Sequence, residues 1–300
     1  MSSAPASFHD LHPTADDLAA DVLAGFSRAQ KSIPPKYFYD AEGSRLFDAI
    51  TELPEYYPTR TETAMLREYA DEIAQKAGTG HLLVEPGSGS CTKARILFEG
   101  LQPCAYVPMD ISRDHLHVAA QEVAIEFPWL EVHAACTDFT RLMTLPPDSP
   151  GGRRLAFFPG SSIGNFDPDA AVGFLRMIAD VVGPGGQLLI GVDLKKDKAV
   201  LEAAYDDAQG VTAAFNLNLL ARINRELGAD FDLAQWHHRA LYNEAQGRIE
   251  MHLVSRSAQK VTLQGQTFHF AEGETIHTEN SYKYSVMEFR DLAARAGFTT

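Results

Sequence analysis

Between residues 77 and 194, short apolar runs alternate with longer segments that have helical spacing. The runs cover residues 81–84, 105–109, 131–135, 154–158 and 187–192. Helical patterns follow the first run over 92–98, the second over 112–127 behind a capping Ser112, and the fourth over 168–182 behind Asp167. Alternation of this kind predicts a parallel sheet with helices on both faces. The segment Pro146-Pro147-Asp148-Ser149-Pro150-Gly151-Gly152 reads as a surface loop inside that unit.

The flanks follow another pattern. Residues 14–29 read as a capped amphipathic helix, broken at Ile33-Pro34-Pro35. Beyond residue 194 come helical stretches over 199–208 and 211–227, then alternating segments over 248–256 and 259–270. The second alternating segment holds its own turn, Gln264-Gly265-Gln266, as antiparallel strands require. The chain is therefore expected to form an α/β doubly wound domain, residues 62–196 plus 286–300, and a second α+β domain, residues 8–61 plus 197–285.

Charge narrows the range of partners. Lys and Arg total 26 against 40 Asp and Glu, a formal net charge of -14, which repels nucleic acid and anionic membranes unless a basic patch exists. The longest basic run, Lys195-Lys196 with Lys198, is broken by Asp197. Cys91, Cys104 and Cys136 lack Cys-x-x-Cys spacing and read as small buried residues of a reducing compartment. Neither a signal peptide nor a spanning segment is visible, so a cytoplasmic location is expected.

Candidate chemistry collects where the predicted strands end. Val84-Glu85-Pro86-Gly87-Ser88-Gly89-Ser90 joins the first strand to a helix, a shelf on which backbone can approach a ligand. A dinucleotide site would carry a third glycine where Thr92 stands; with the acidic Glu85 this favours S-adenosylmethionine, whose sulfonium and amine welcome carboxylates. A tight structural connection is the plainer alternative. Asp110 ends the second strand, where such sites place a carboxylate on ribose hydroxyls, although it could also cap the following helix. Asp138-Phe139 ends the third strand and suits adenine, with an acceptor for its amine and a ring for its face. The fourth strand runs into Pro159-Gly160-Ser161-Ser162-Ile163-Gly164-Asn165; Asn165 is either a ligand-binding amide or a turn residue.

Longer blocks carry a specific resemblance. They are Lys31 to Asp40, Leu53-Pro54-Glu55-Tyr56-Tyr57-Pro58-Thr59-Arg60-Thr61-Glu62, Gly160 to Asn165, Ala204-Tyr205-Asp206-Asp207, Gly210 to Asn216 and Ile249-Glu250-Met251. From about residue 30 onward the chain resembles the L-histidine Nα-methyltransferases of ergothioneine biosynthesis. The resemblance implies a Rossmann-like class I methyltransferase fold and three methyl transfers from S-adenosylmethionine to the α-amine of L-histidine, giving hercynine. It assigns Gly87, Lys93, Asp110, Asp138 and Phe139 to the methyl donor, with Gly160 beside them. Tyr56, Asn165, Tyr205, Met251, Glu279 and Ser281 fall to histidine, and Tyr39 to the neighbourhood of the amine, so that Tyr39 and Asn165 are the catalytic candidates.

The substrate assignment also has a physical basis. On an extended segment Glu279 and Ser281 project to one face and Asn280 to the other. Imidazole offers one N–H and one bare nitrogen, which a carboxylate and a hydroxyl can satisfy. Rival readings are a methyltransferase for another aromatic amino acid, such as a tryptophan derivative, and a non-catalytic protein that binds S-adenosylmethionine. His115 with His117, and His237 with His238, do not share a helical face, and no metal is expected. A monomer is expected. Family members continue beyond the counterpart of Ala296-Gly297-Phe298-Thr299-Thr300 into an aromatic-rich β-hairpin, so the closing strands of the sheet are expected to be missing.

Overall fold

A computed structural model describes residues 6–11, 16–141 and 143–299. In chain order the first elements are β1 (Ser7–Asp10), α1 (Asp16–Phe26), β2 (Lys31–Ser32), α2 (Ala41–Thr51), α3 (Tyr57–Ala77), β3 (Leu82–Pro86) and α4 (Thr92–Leu101). There follow β4 (Ala105–Asp110), α5 (Arg113–Glu126), β5 (Glu131–Cys136), β6 (Arg154–Phe158), α6 (Pro168–Val182) and β7 (Gln187–Ile190). The last are α7 (Lys198–Tyr205), α8 (Val211–Leu227), β8 (Trp236–Asn243), β9 (Arg248–Ser255), β10 (Gln259–Leu263), β11 (Gln266–Phe270), β12 (Thr275–Tyr282) and α9 (Val286–Arg295). The chain divides into two compact units, Met1–Pro13 with Pro58–Leu194 and Tyr284–Thr300, and Thr14–Tyr57 with Lys195–Lys283. Among the described residues no helix is long and apolar enough to cross a membrane.

The first unit is a parallel sheet in the order β1-β5-β4-β3-β6-β7. Every residue of β3 is buried, the near-continuous apolar run that a sheet covered on both faces demands. On α5, Leu116, Ala119, Ala120 and Val123 recur at helical spacing and form the buried stripe. Strand β3 pairs with β4 on one side and β6 on the other, so the chain order reverses across it. Open α/β sheets bind ligands at the carboxyl ends of strands at such a reversal.

Three expectations are corrected here. Residues 7–10 are strand β1, paired with β5 from Ser7↔His133 to Asp10↔Cys136, so this segment belongs to the first unit and not to the second. So short a strand has no local signal; a distant partner defines it. Cys104 is exposed, whereas Cys91 and Cys136 are buried and burial pushes each thiol to about 12. Ser112 and Asp167 hold the N-cap positions of α5 and α6 without making side-chain caps. The expected helix start at Thr14 lies outside the described residues.

The second unit holds a sheet in the order β2-β12-β9-β8 and the hairpin β10–β11. Gln264 and Gly265 both take positive φ, 47° and 78°, as a two-residue hairpin turn requires. At the start of α2, Asp40 accepts from the Gly43 N–H at 2.7 Å. A Cβ on Gly43 would lie 1.7 Å from the Phe38 carbonyl oxygen, so only glycine fits. Phe38, Phe215, Trp236, Leu253 and Ile276 lie in one core. His237 and His238 stand on β8; the His238 ring meets the Asn216 side chain at 2.8 Å and the Tyr205 carbonyl at 2.7 Å.

Candidate functional site

In the first unit the loop after β3 is set by its backbone. Gly87 and Gly89 take φ of 69° and 50°, values that glycine reaches without strain. The Gly87 and Ser88 N–H groups both donate to the Met109 carbonyl, at 2.7 and 3.0 Å, which folds the loop over the end of β4. Asp110 then accepts from Gly89 N–H through Oδ2 and from Ser112 N–H through Oδ1, each at 2.9 Å. Burial raises its pKa, while the bonds from Ser112 and Gly89 pull it back. One carboxylate thus ties the glycine loop to the next helix start and keeps lone pairs for a ligand.

Phe139 crosses the same loop. A Cβ on Gly87 would stand 3.2 Å from the Phe139 Cζ, and the ring meets Phe158 and Phe174 at 6.4 and 6.1 Å between centroids. Asp138 Oδ1 accepts from Thr140 N–H at 3.1 Å and from its hydroxyl at 2.5 Å. Lys93, on the first turn of α4, pairs with Glu62 on α3, Nζ to Oε2 at 2.5 Å. The two oxygens of Glu62 also accept from Gly160 N–H, at 3.0 and 2.8 Å. Asn165 ends the short helical turn Ser162–Asn165 after β6, and among the described residues its side-chain amide makes no hydrogen bond.

The glycine loop leaves two features that a ligand could use. Among the described residues the buried Ser88 hydroxyl has no oxygen or nitrogen partner and lies beside the Cys91 thiol, and a Cβ on Gly89 would meet nothing within 4 Å. A buried hydroxyl and an unfilled glycine face at the end of a strand are what a bound group would complete. The shelf fits S-adenosylmethionine.

In the second unit β12 carries a bulge between His277 and Glu279. Across from β9, Ile276 faces Leu253, Glu279 faces Met251 and Ser281 faces Ile249, and these three β9 residues belong to the core. The extra residue, Thr278, switches the parity of β12, so that Glu279 and Ser281 come to the face that Ile276 occupies before it. Ser281 Oγ lies 2.8 Å from the Tyr205 hydroxyl, and the Tyr205 ring meets Tyr56 edge-on at 6.0 Å. Glu279 remains partly accessible, accepts no side-chain hydrogen bond among the described residues, and is pushed by burial to about 7, against the pull of the Lys283 charge. Tyr39 sets its ring against Phe47 and Phe215, at 5.7 and 5.9 Å.

The opposite face of the same strands is also polar. Arg248 holds Glu250 at about 2, and His252 and His277 stack at 4.7 Å with planes 17° apart. Glu250, His252 and His277 each bring one ligand atom within 4.8 Å of the others, a grouping that could hold a metal ion.

The family described as "Histidine-specific methyltransferase, SAM-dependent" matches residues 18–300. The chain belongs to this family. The histidine N-alpha-methyltransferase of Mycolicibacterium smegmatis is 47% identical over 276 residues, 90% of this chain and 85% of that protein. That of Mycobacterium tuberculosis is 45% identical over 286 residues, 93% of this chain and 88% of the relative. Ergothioneine biosynthesis protein 1 of Schizosaccharomyces pombe is 29% identical over 279 residues, 89% of this chain but 36% of that longer protein.

In this member of the histidine-specific methyltransferases, sequence reasoning passed over two polar residues. Glu62 ends the segment Leu53 to Glu62, and nothing local shows that it meets Lys93 and Gly160. Gly191 is its counterpart: a Cβ there would lie 1.7 Å from Glu62 Oε1. Lys283 is 2% exposed and stands two residues beyond Ser281, a parity signal that was available.

Glu85 lies beneath the glycine loop, 1% exposed, where it accepts from the Tyr106 hydroxyl. Burial raises it from 4.5 to about 8, so the folded protein keeps a proton that the unfolded chain releases between those values. Stability therefore falls as pH rises through that window. Glu85→Gln is expected to raise Tm at pH 8 and leave it unchanged at pH 4, measured by thermal unfolding. An equal effect at both pH values would show that the side chain is ionised in the fold.

Proposed function

We propose that this chain transfers three methyl groups in succession from S-adenosylmethionine to the α-amine of L-histidine, giving hercynine in ergothioneine biosynthesis. The observation that supports the substrate is the pair Glu279 and Ser281 on one face of β12, with Tyr205 at Ser281. A carboxylate can take the imidazole N–H and a hydroxyl the bare nitrogen. An indole has no bare nitrogen for Ser281, which disfavours a tryptophan derivative.

In this reading Gly87, Asp110, Asp138 and Phe139 hold the methyl donor, Asp110 on the ribose hydroxyls and Asp138 with Phe139 on adenine. Lys93 and Gly160 shape that shelf through Glu62. When bound, S-adenosylmethionine supplies an electrophilic methyl group on its sulfonium. By the family resemblance Tyr56 and Met251 fall to histidine, Asn165 to its carboxylate, and Tyr39 to the neighbourhood of its amine. Each transfer makes an N–C bond, breaks an S–C bond and releases S-adenosylhomocysteine; the amine must lose a proton before each attack. The protein's task is to aim the nitrogen lone pair, and positioning of this kind can supply most of the rate.

Mass spectrometry of small molecules after incubation with S-adenosylmethionine and a mixture of histidine, tryptophan, tyrosine and arginine tests the reading. Trimethylated histidine alone is expected. A methylated competitor in its place would overturn the assignment of Glu279 and Ser281.

A further inference from the structure

Lys283 is buried beside the candidate substrate face with its ammonium aimed at hydroxyl groups. Its Nζ donates to the Tyr205 hydroxyl at 3.0 Å and to Ser281 Oγ at 2.9 Å, and those two oxygens are themselves 2.8 Å apart. The three atoms form a closed triangle. The Lys283 N–H donates to the Gly247 carbonyl at 2.9 Å, which anchors the side chain's root, and Nζ lies 4.8 Å from the Tyr205 ring centre.

The triangle restricts its protons, although either hydroxyl can be the donor between Tyr205 and Ser281. An ammonium donates and cannot accept, so neither hydroxyl can point its proton at Lys283. One hydroxyl proton lies in the bond between Tyr205 and Ser281. The other must turn out of the triangle. Without the lysine, both hydroxyls could rotate, and either could offer a lone pair or a proton to a ligand.

We propose that Lys283 is a positioning residue that makes the Tyr205–Ser281 pair a proton donor toward the bare ring nitrogen of histidine; this rests on the substrate reading above. Glu279, as a carboxylate, is the acceptor on the same face. One fixed donor and one fixed acceptor match a single neutral tautomer of imidazole. A ring with two N–H groups, or with none, leaves one of them unpaired, and an unpaired buried polar group costs enough to discriminate. Lys283 therefore contributes to specificity without touching the reacting amine.

Lys283→Met keeps the stem and removes the donors. Its KM for histidine is expected to rise about ten- to a hundredfold, the worth of a charged hydrogen bond. Its kcat should change by less than about threefold and its affinity for S-adenosylhomocysteine should not change, because only ground-state orientation of the ring is affected. Lys283→Arg should restore part of the loss. An unchanged KM in an active, folded variant, or a fall in kcat alone, would overturn the proposal. If Lys283→Met does not fold, the wild-type protein decides: 15N spectra of ring-labelled histidine bound with S-adenosylhomocysteine should show one neutral tautomer whose bare nitrogen accepts a hydrogen bond. A doubly protonated ring or a tautomer mixture would sink it. Wild-type protein that methylates another amino acid but not histidine would instead remove the substrate reading, and this inference with it.

Discussion

Asp110→Ala is expected to weaken S-adenosylhomocysteine binding by at least about a hundredfold and to lower stability by about 2–4 kcal/mol. Both effects come from one side chain. The N–H groups of Gly89 and Ser112 each lose an acceptor at 2.9 Å, and an orphaned donor costs roughly 1–3 kcal/mol. The glycine loop then loses its tie to the start of α5, and the ribose hydroxyls lose the proposed partner. Calorimetric titration with S-adenosylhomocysteine and thermal unfolding give the two readouts separately. Asp110→Asn should fall between, since an amide oxygen can keep one N–H while its NH2 opposes the other. A variant that unfolds at a lower temperature yet binds the ligand with wild-type affinity would reduce Asp110 to a structural tie.

Glu279→Ala should lower kcat/KM for histidine by about a hundredfold, mainly through KM, because a charged acceptor for the ring N–H is lost. Amino acids with apolar rings should lose less, so preference shifts toward them. The pH dependence is a sharper test. With its pKa raised to about 7, Glu279 is a carboxylate above that pH and a protonated acid below it. Histidine recognition in the wild type should therefore weaken as pH falls through 7, and Glu279→Gln should lose that component. The imidazole itself titrates near 6.5 in both proteins, so the difference between their pH profiles of kcat/KM is the quantity to compare. Superimposable profiles would place Glu279 away from the ring.

The α/β core was legible because its signals are local. Fully buried strands read as apolar runs, and the run at residues 154–158 is strand β6. Helix 211–227 likewise stands as α8, and Gln264-Gly265 makes its turn because both residues can take positive φ. The loop Gly87-Ser88-Gly89 and the strand-ending Asp110 also follow from chain order, since strand, glycine turn and helix are consecutive. Strand β8 was missed: its residues, apart from Trp236, are only partly buried or exposed, and its histidines and arginine blur the period of two. The bulge at Thr278 escaped for a related reason, because one extra residue leaves composition unchanged while turning every later side chain to the other face.

By itself the sequence determined the succession of elements, the glycine shelf and the family to which the chain belongs, since each rests on neighbours along the chain or on the order of residues. Only the tertiary structure decided which distant groups meet. It brought β1 beside β5, Glu62 to Lys93 and Gly160, and Lys283 to Tyr205 and Ser281. Polar side chains choose partners by three-dimensional distance and by the cost of leaving a buried donor unmade, and neither quantity is written in the spacing of residues.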